Sequence, residues 1–138
     1  MSGARERPMT APKFYRVLVA DDHAIVRRGV RVLLELQPDV QVCGEARTGV
    51  EAMDIARNEK PDLLILDLTM PRLSGRDTLK RLVEMNPDVR VMFSSGYSAE
   101  QVSGAECRQV LGFINKPYRA DELAAQLRNT LDRSGAPQ

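Results

Sequence analysis

The stretch Asp62-Leu63-Leu64-Ile65-Leu66-Asp67 decides the fold. It is the most hydrophobic run in the chain and reads as a central strand buried on both faces. Upstream, Thr48 or Gly49 opens a helix with apolar positions Val50, Met53, Ile55 and Ala56. Before it, Val40 and Val42 alternate with polar neighbours, as in a strand nearer an edge. A helix is expected over about 24–36, with Ile25, Gly29, Val32, Leu33 and Leu36 on one face and Pro38 as its stop. Tyr15 to Ala20 reads as the first strand.

Downstream the same alternation continues. Ser74 caps a third helix that turns Leu79, Leu82 and Val83 inward. Val89 to Phe93 is the fourth strand, and Ala99 to Gln109 a weak fourth helix containing Gly104. Leu111 to Ile114 is a short fifth strand. Asp121 opens the last helix, with Leu123, Ala124, Leu127 and Leu131 on one stripe. Alternating strands and helices with short connections predict an α/β fold: a five-stranded parallel sheet with helices on both faces. Residues 14–133 are expected to form this one domain, between flexible tails at 1–13 and 134–138.

Composition agrees. The chain has 138 residues, too few for two ordinary domains, with 43% hydrophobic and 28% charged residues. Lys plus Arg is 20 against 19 Asp plus Glu, so no basic excess points to nucleic acid. No apolar run approaches the ~20 residues of a membrane helix, and residues 1–14 lack a signal-peptide core. A cytoplasmic location is expected. Cys43 and Cys107 with a lone His23 make neither a disulfide framework nor a zinc set.

In such sheets ligands bind at the carboxyl ends of the strands. Asp21 and Asp22 follow the first strand, Asp67 closes the third, Ser94, Ser95 and Gly96 follow the fourth, and Lys116 follows the fifth. Three carboxylates brought together repel one another, and a divalent cation removes the conflict. Oxygen ligands favour a hard ion, Mg²⁺ first. A carboxylate beside Mg²⁺ and a lysine can act as a nucleophile toward phosphorus, with the lysine and the metal neutralising the transferring oxygens.

These residues resemble the receiver domains of two-component response regulators, which have the flavodoxin-like fold. The resemblance rests on Ala20-Asp21-Asp22, on Asp67-Leu68-Thr69-Met70-Pro71-Arg72-Leu73-Ser74-Gly75, on Ser95-Gly96 and on Phe113-Ile114-Asn115-Lys116-Pro117. It spans roughly residues 14–133. It implies that Asp67 is the phospho-acceptor and that Mg²⁺ is held by Asp22, Asp67 and the Thr69 carbonyl, with Asp21 assisting. It implies Ser95 as the switch hydroxyl, since Ser95 precedes Gly96, with Ser94 left as a strand-end residue. Phe113 matches the rotating aromatic, and a cis peptide is implied before Pro117.

The implied function is a switch in phosphorelay signalling that catalyses only its own phosphorylation and dephosphorylation. The implied partners are a sensor histidine kinase or histidine phosphotransfer protein, and a downstream protein at the face of the fourth helix, fifth strand and last helix. A homodimer stays open; nucleic-acid and membrane contacts are not expected of this domain. Only a few residues follow the last helix and no output domain is visible, so a stand-alone regulator, a piece of a hybrid histidine kinase and a piece of a DNA-binding regulator all stay open. Simpler readings stand beside these: Asp21 and Asp22 as helix caps, His23 as a helix-start residue, and Arg27, Arg28 and Arg31 as a solvated or partner-facing patch. A haloacid-dehalogenase-like phosphatase would need a second Asp where Thr69 stands. A flavodoxin-like carrier would need a hydroxyl- and Gly-rich loop where Asp21-Asp22-His23 stands. A pseudo-receiver that only binds partners would lack the full acidic set.

Overall fold

A computed structural model describes residues 14–70, 72–95, 109–116 and 118–134. The expected N-terminal tail, the expected fourth helix apart from Gln109, Gly96, Cys107, Pro71 and Pro117 lie outside the described residues. Within them the order is β1 (Tyr15–Ala20), α1 (Ala24–Glu35), β2 (Val40–Ala46), α2 (Gly49–Glu59), β3 (Leu63–Asp67), α3 (Gly75–Met85), β4 (Val91–Ser95), β5 (Val110–Asn115) and α4 (Ala120–Ser134). All strand pairs are parallel, and the sheet order is β2-β1-β3-β4-β5. β3 is therefore central and β2 lies at an edge, as the hydrophobic patterns predict.

Strand alternation divides the core into two layers. Leu18 and Ala20 of β1, Leu64 and Leu66 of β3 and Phe93 of β4 face Ala52, Leu79 and Leu82 of α2 and α3. Val17 and Val19, Leu63 and Ile65, Met92 and Ile114 face Val30 and Leu34 of α1 and Leu123, Leu127 and Leu131 of α4. Burying each such large aliphatic side chain contributes about 1.5–3 kcal/mol. Every residue of β3 is buried. Among the described residues, no helix is long and apolar enough to cross a membrane.

The inward face of α1 differs from expectation. Val30 and Leu34 are buried, while Ile25 is 88% exposed and Val32 and Leu36 also face outward. The sequence carries two apolar stripes side by side, and ion pairs choose between them. Arg27 donates to the Asp21 carbonyl at 2.8 Å and to Glu45 of β2 at 3.1 Å, and Arg31 donates to Glu45 at 2.6 Å. Those bonds set the rotation of the helix. They also correct the reading of its arginines as one solvated or partner-facing patch: Arg27 is largely buried against β2, and of the three only Arg28 is exposed without such a tie among the described residues.

The fourth strand is shifted as well. It begins at Val91 rather than Val89, because Val89 N–H turns back to the Asn86 carbonyl. Ser94 and Ser95 consequently lie inside β4, paired with Asp67 of β3 and Asn115 of β5. In α2, Val50 points outward, and Thr48 is the N-cap, accepting from Glu51 N–H at 3.1 Å.

Candidate functional site

Four parallel strands, β1, β3, β4 and β5, end along one edge of the sheet, and residues at or just after their ends meet. Ala20 of β1 pairs with Leu66 of β3, so Asp21 and Asp67 emerge at adjacent strand ends. Asp67 is fully buried and Asp21 is 3% exposed. The β4–β5 ladder is extended by a bond from Lys116 N–H to the Ser95 carbonyl at 2.7 Å, which brings the lysine to the same edge. Lys116 Nζ then lies 2.9 Å from Asp21 Oδ2 and 3.4 Å from Asp67 Oδ2.

Each oxygen of Asp67 has a distinct environment. Oδ1 accepts from the Thr69 N–H and the Thr69 hydroxyl, both at 3.1 Å. Oδ2 is buried without a hydrogen bond, so the approach of Lys116 is electrostatic. The loop behind it is fixed by Leu68 N–H on the Ser94 carbonyl at 3.0 Å and Gly75 N–H on the Leu68 carbonyl at 3.1 Å. Gly75 is required there, because a Cβ would lie 2.5 Å from the Asp67 carbonyl oxygen. Ser74 caps α3 by accepting from Asp77 N–H.

Neither Asp21 nor Asp22 caps α1. The N-cap residue is His23, whose side chain makes no cap bond. Asp21 Oδ1 accepts from His23 N–H at 2.9 Å, which folds the chain so that Asp22 also faces the site. One ligand-capable atom from each of Asp21, Asp22, His23 and Asp67 lies within 4.8 Å of the others. Buried Asp22 Oδ1, like Asp67 Oδ2, lacks a hydrogen bond. Burying unbonded carboxylate oxygens is costly unless a cation joins them. The three carboxylates outnumber the one ammonium, so the set fits a divalent cation with oxygen ligands. Burial pulls the Lys116 pKa down, but the bond it donates to Asp21 and the charges of Asp67 and Asp21 outweigh it and hold the ammonium above its ordinary value.

Ser94 and Ser95 are both buried but lie on opposite faces of β4. Ser95 shares the face of Phe93, whose ring centroid is 5.9 Å from that of Phe113. Ser94 shares a hydrogen bond with the Tyr118 hydroxyl, a partner the sequence reading missed. Burial pushes the Tyr118 phenol above its ordinary value. The signal for this pair was available, since a hydroxyl inside an apolar strand requires a partner. His23 is a helix-start residue, as expected, and its exposed ring also faces both Asp21 and Asp22.

Comparison with known proteins agrees with this geometry. The response regulator receiver domain family matches residues 17–128. The chain is 37% identical over 112 residues to the nitrate/nitrite response regulator NarL of Escherichia coli, covering 80% of this chain and 52% of that protein. It is 37% identical over 86 residues to the uncharacterized transcriptional regulatory protein YhcZ of Bacillus subtilis, covering 62% and 40%. The chain thus spans about half the length of these curated relatives or less. Among solved structures, the response regulator domain of Thermotoga maritima CheB superposes with a TM-score of 0.77 at 29% identity, covering 91% of this chain and all of that one.

Proposed function

The chain belongs to the response regulator receiver domain family of two-component signalling, and from that premise we propose that Asp67 accepts a phosphoryl group from a phosphohistidine donor. The observation that carries this reading is the pair Asp67–Lys116. A buried carboxylate presents one oxygen free of hydrogen bonds, with an ammonium 3.4 Å away. Asp67 attacks phosphorus through that oxygen, the P–N bond of phosphohistidine breaks, and its electron pair returns to the imidazole, which takes up a proton. Thr69 holds the other oxygen and so fixes the carboxylate plane. Lys116 balances the charge of the transferred oxygens.

Mg²⁺ on Asp22, Asp67 and the Thr69 carbonyl, with Asp21 assisting, would supply charge neutralisation at the phosphoryl oxygens. Once phosphorylated, Asp67 offers oxygens to Ser95 and Lys116, and these new bonds bias a two-state surface that includes Phe113. The domain is thereby a cytoplasmic switch rather than a turnover enzyme. Its partners are a sensor kinase or phosphotransfer protein upstream and a protein bound downstream at the face of the expected fourth helix, β5 and α4. Incubation with a phosphorylated histidine phosphotransfer protein and Mg²⁺ tests the donor. Label should move to the wild-type chain and not to Asp67→Asn; transfer to both would assign the acceptor elsewhere.

A further inference from the structure

We infer that His23 is an additional ligand of the metal site, giving it a preference for borderline transition-metal ions over Mg²⁺. The inference rests on the reading of Asp21, Asp22 and Asp67 as that site. His23 Nδ1 lies 3.2 Å from Asp22 Oδ1 and 3.4 Å from Asp21 Oδ1. An ion with bonds of about 2.1 Å places neighbouring ligand atoms about 3 Å apart and opposite ones about 4.2 Å apart. The imidazole spacings match neighbouring positions. The widest separation in the set, 4.8 Å, needs an inward shift of a few tenths of an ångström around the ion.

Among the described residues, the ring has no other ion pair or hydrogen bond. It caps no helix end, its contacts are the two carboxylates, and it is 65% exposed at the mouth of the site. The backbone bond from His23 to Asp21 holds its Cα beside the acidic pair. Independent of the ring, fully buried Asp67 Oδ2 accepts no hydrogen bond, and Lys116 Nζ, 3.4 Å away, is one ammonium facing three carboxylates, so the cluster has negative charge left for a cation. Carboxylates suit Mg²⁺, Mn²⁺ and Ca²⁺, whereas imidazole suits nickel, copper, zinc and iron. A nitrogen donor therefore adds affinity unevenly. With Mg²⁺, water serves at that position as well as imidazole does; with Co²⁺ or Ni²⁺ the imidazole is the better ligand.

The test is calorimetric titration of the full chain with MgCl₂ and, separately, CoCl₂ at one pH, alongside the visible absorption of bound Co²⁺. Wild type should bind Co²⁺ more tightly than Mg²⁺. His23→Ala should lose at least about tenfold in Co²⁺ affinity, with a changed Co²⁺ spectrum, and keep Mg²⁺ affinity within about twofold. Retained Mg²⁺ binding also shows that the variant is folded. Asp67→Asn should weaken both metals, placing Co²⁺ in this site rather than at a cysteine. Equal losses of Mg²⁺ and Co²⁺ in His23→Ala, no loss of either, or Co²⁺ binding untouched by Asp67→Asn would each overturn the role of His23. Failure of wild type to bind either ion would instead overturn the underlying metal site.

Discussion

Lys116 Nζ stands 3.4 Å from Asp67 Oδ2, the oxygen that Thr69 leaves unbonded. Sequence separates the two residues by the whole of α3, β4 and β5, yet the parallel sheet makes them neighbours. The pair leaves a negative excess, because Asp21 and Asp22 share the same space. That excess has consequences for stability as well as chemistry.

Asp67→Asn should stabilise the metal-free protein by on the order of 1 kcal/mol, since it removes one of three clustered carboxylates while Lys116 keeps Asp21. Mg²⁺ at about a hundred times its dissociation constant should then add about 2.7 kcal/mol to wild type and little to the variant. Urea unfolding with and without MgCl₂ measures both. A variant less stable than metal-free wild type would contradict the electrostatic account.

Two glycines should respond oppositely to alanine. A Cβ on Gly75 meets the backbone of Asp67 and Leu68 at 2.5 and 2.7 Å, so Gly75→Ala should cost roughly 1–3 kcal/mol and disturb metal binding. A Cβ on Gly29, within α1, meets nothing within 4 Å. Gly29→Ala should stabilise by about 0.5–1 kcal/mol. Thermal unfolding of the two variants decides, and equal effects would count against the packing described.

The Arg128 guanidinium bonds Asp39 at 2.7 and 2.8 Å and ties α4 to the start of β2. That hydrogen bond, opposed by burial, holds the Asp39 carboxyl below its ordinary value. Its contribution is therefore present above the unfolded pKa of about 3.9 and is lost as pH falls through the depressed folded value. Both groups are about one-third exposed, so Asp39→Asn should cost only about 0.5–1 kcal/mol at neutral pH and nothing in strong acid. A difference between the two proteins that persists in strong acid would exclude the ion pair as its source.

Ser95→Ala should still accept phosphate on Asp67 but transmit less of the change. Hydrogen exchange across 109–116 should shift on phosphorylation in wild type and much less in the variant, with Val17 to Ala20 quiet in both. A full response from Ser95→Ala would move the coupling to Ser94 or Lys116 alone.

The sheet and its acidic edge were legible because each signal was local. Leu63 to Leu66 announces the buried centre, and Asp21, Asp22 and Lys116 each sit beside a recognisable strand end. What sequence left hidden depended on contacts between distant segments. The rotation of α1 is set by Glu45, on a different element, and two equally apolar stripes cannot choose between themselves. The hydroxyl that partners buried Ser94 belongs to Tyr118, 24 residues away. The imidazole of His23 gains meaning only once Asp21 folds back onto its N–H.

The most direct measurement is the mass of the intact protein after acetyl phosphate treatment, with and without Mg²⁺. It is followed by borohydride reduction, which converts an aspartyl phosphate to homoserine, and by peptide sequencing. One phosphoryl group, dependent on Mg²⁺, should appear on wild type, with homoserine at position 67 and no labelling of Asp67→Asn. Labelling that persists in Asp67→Asn, or homoserine at another aspartate, would contradict the assignment of Asp67 as the acceptor.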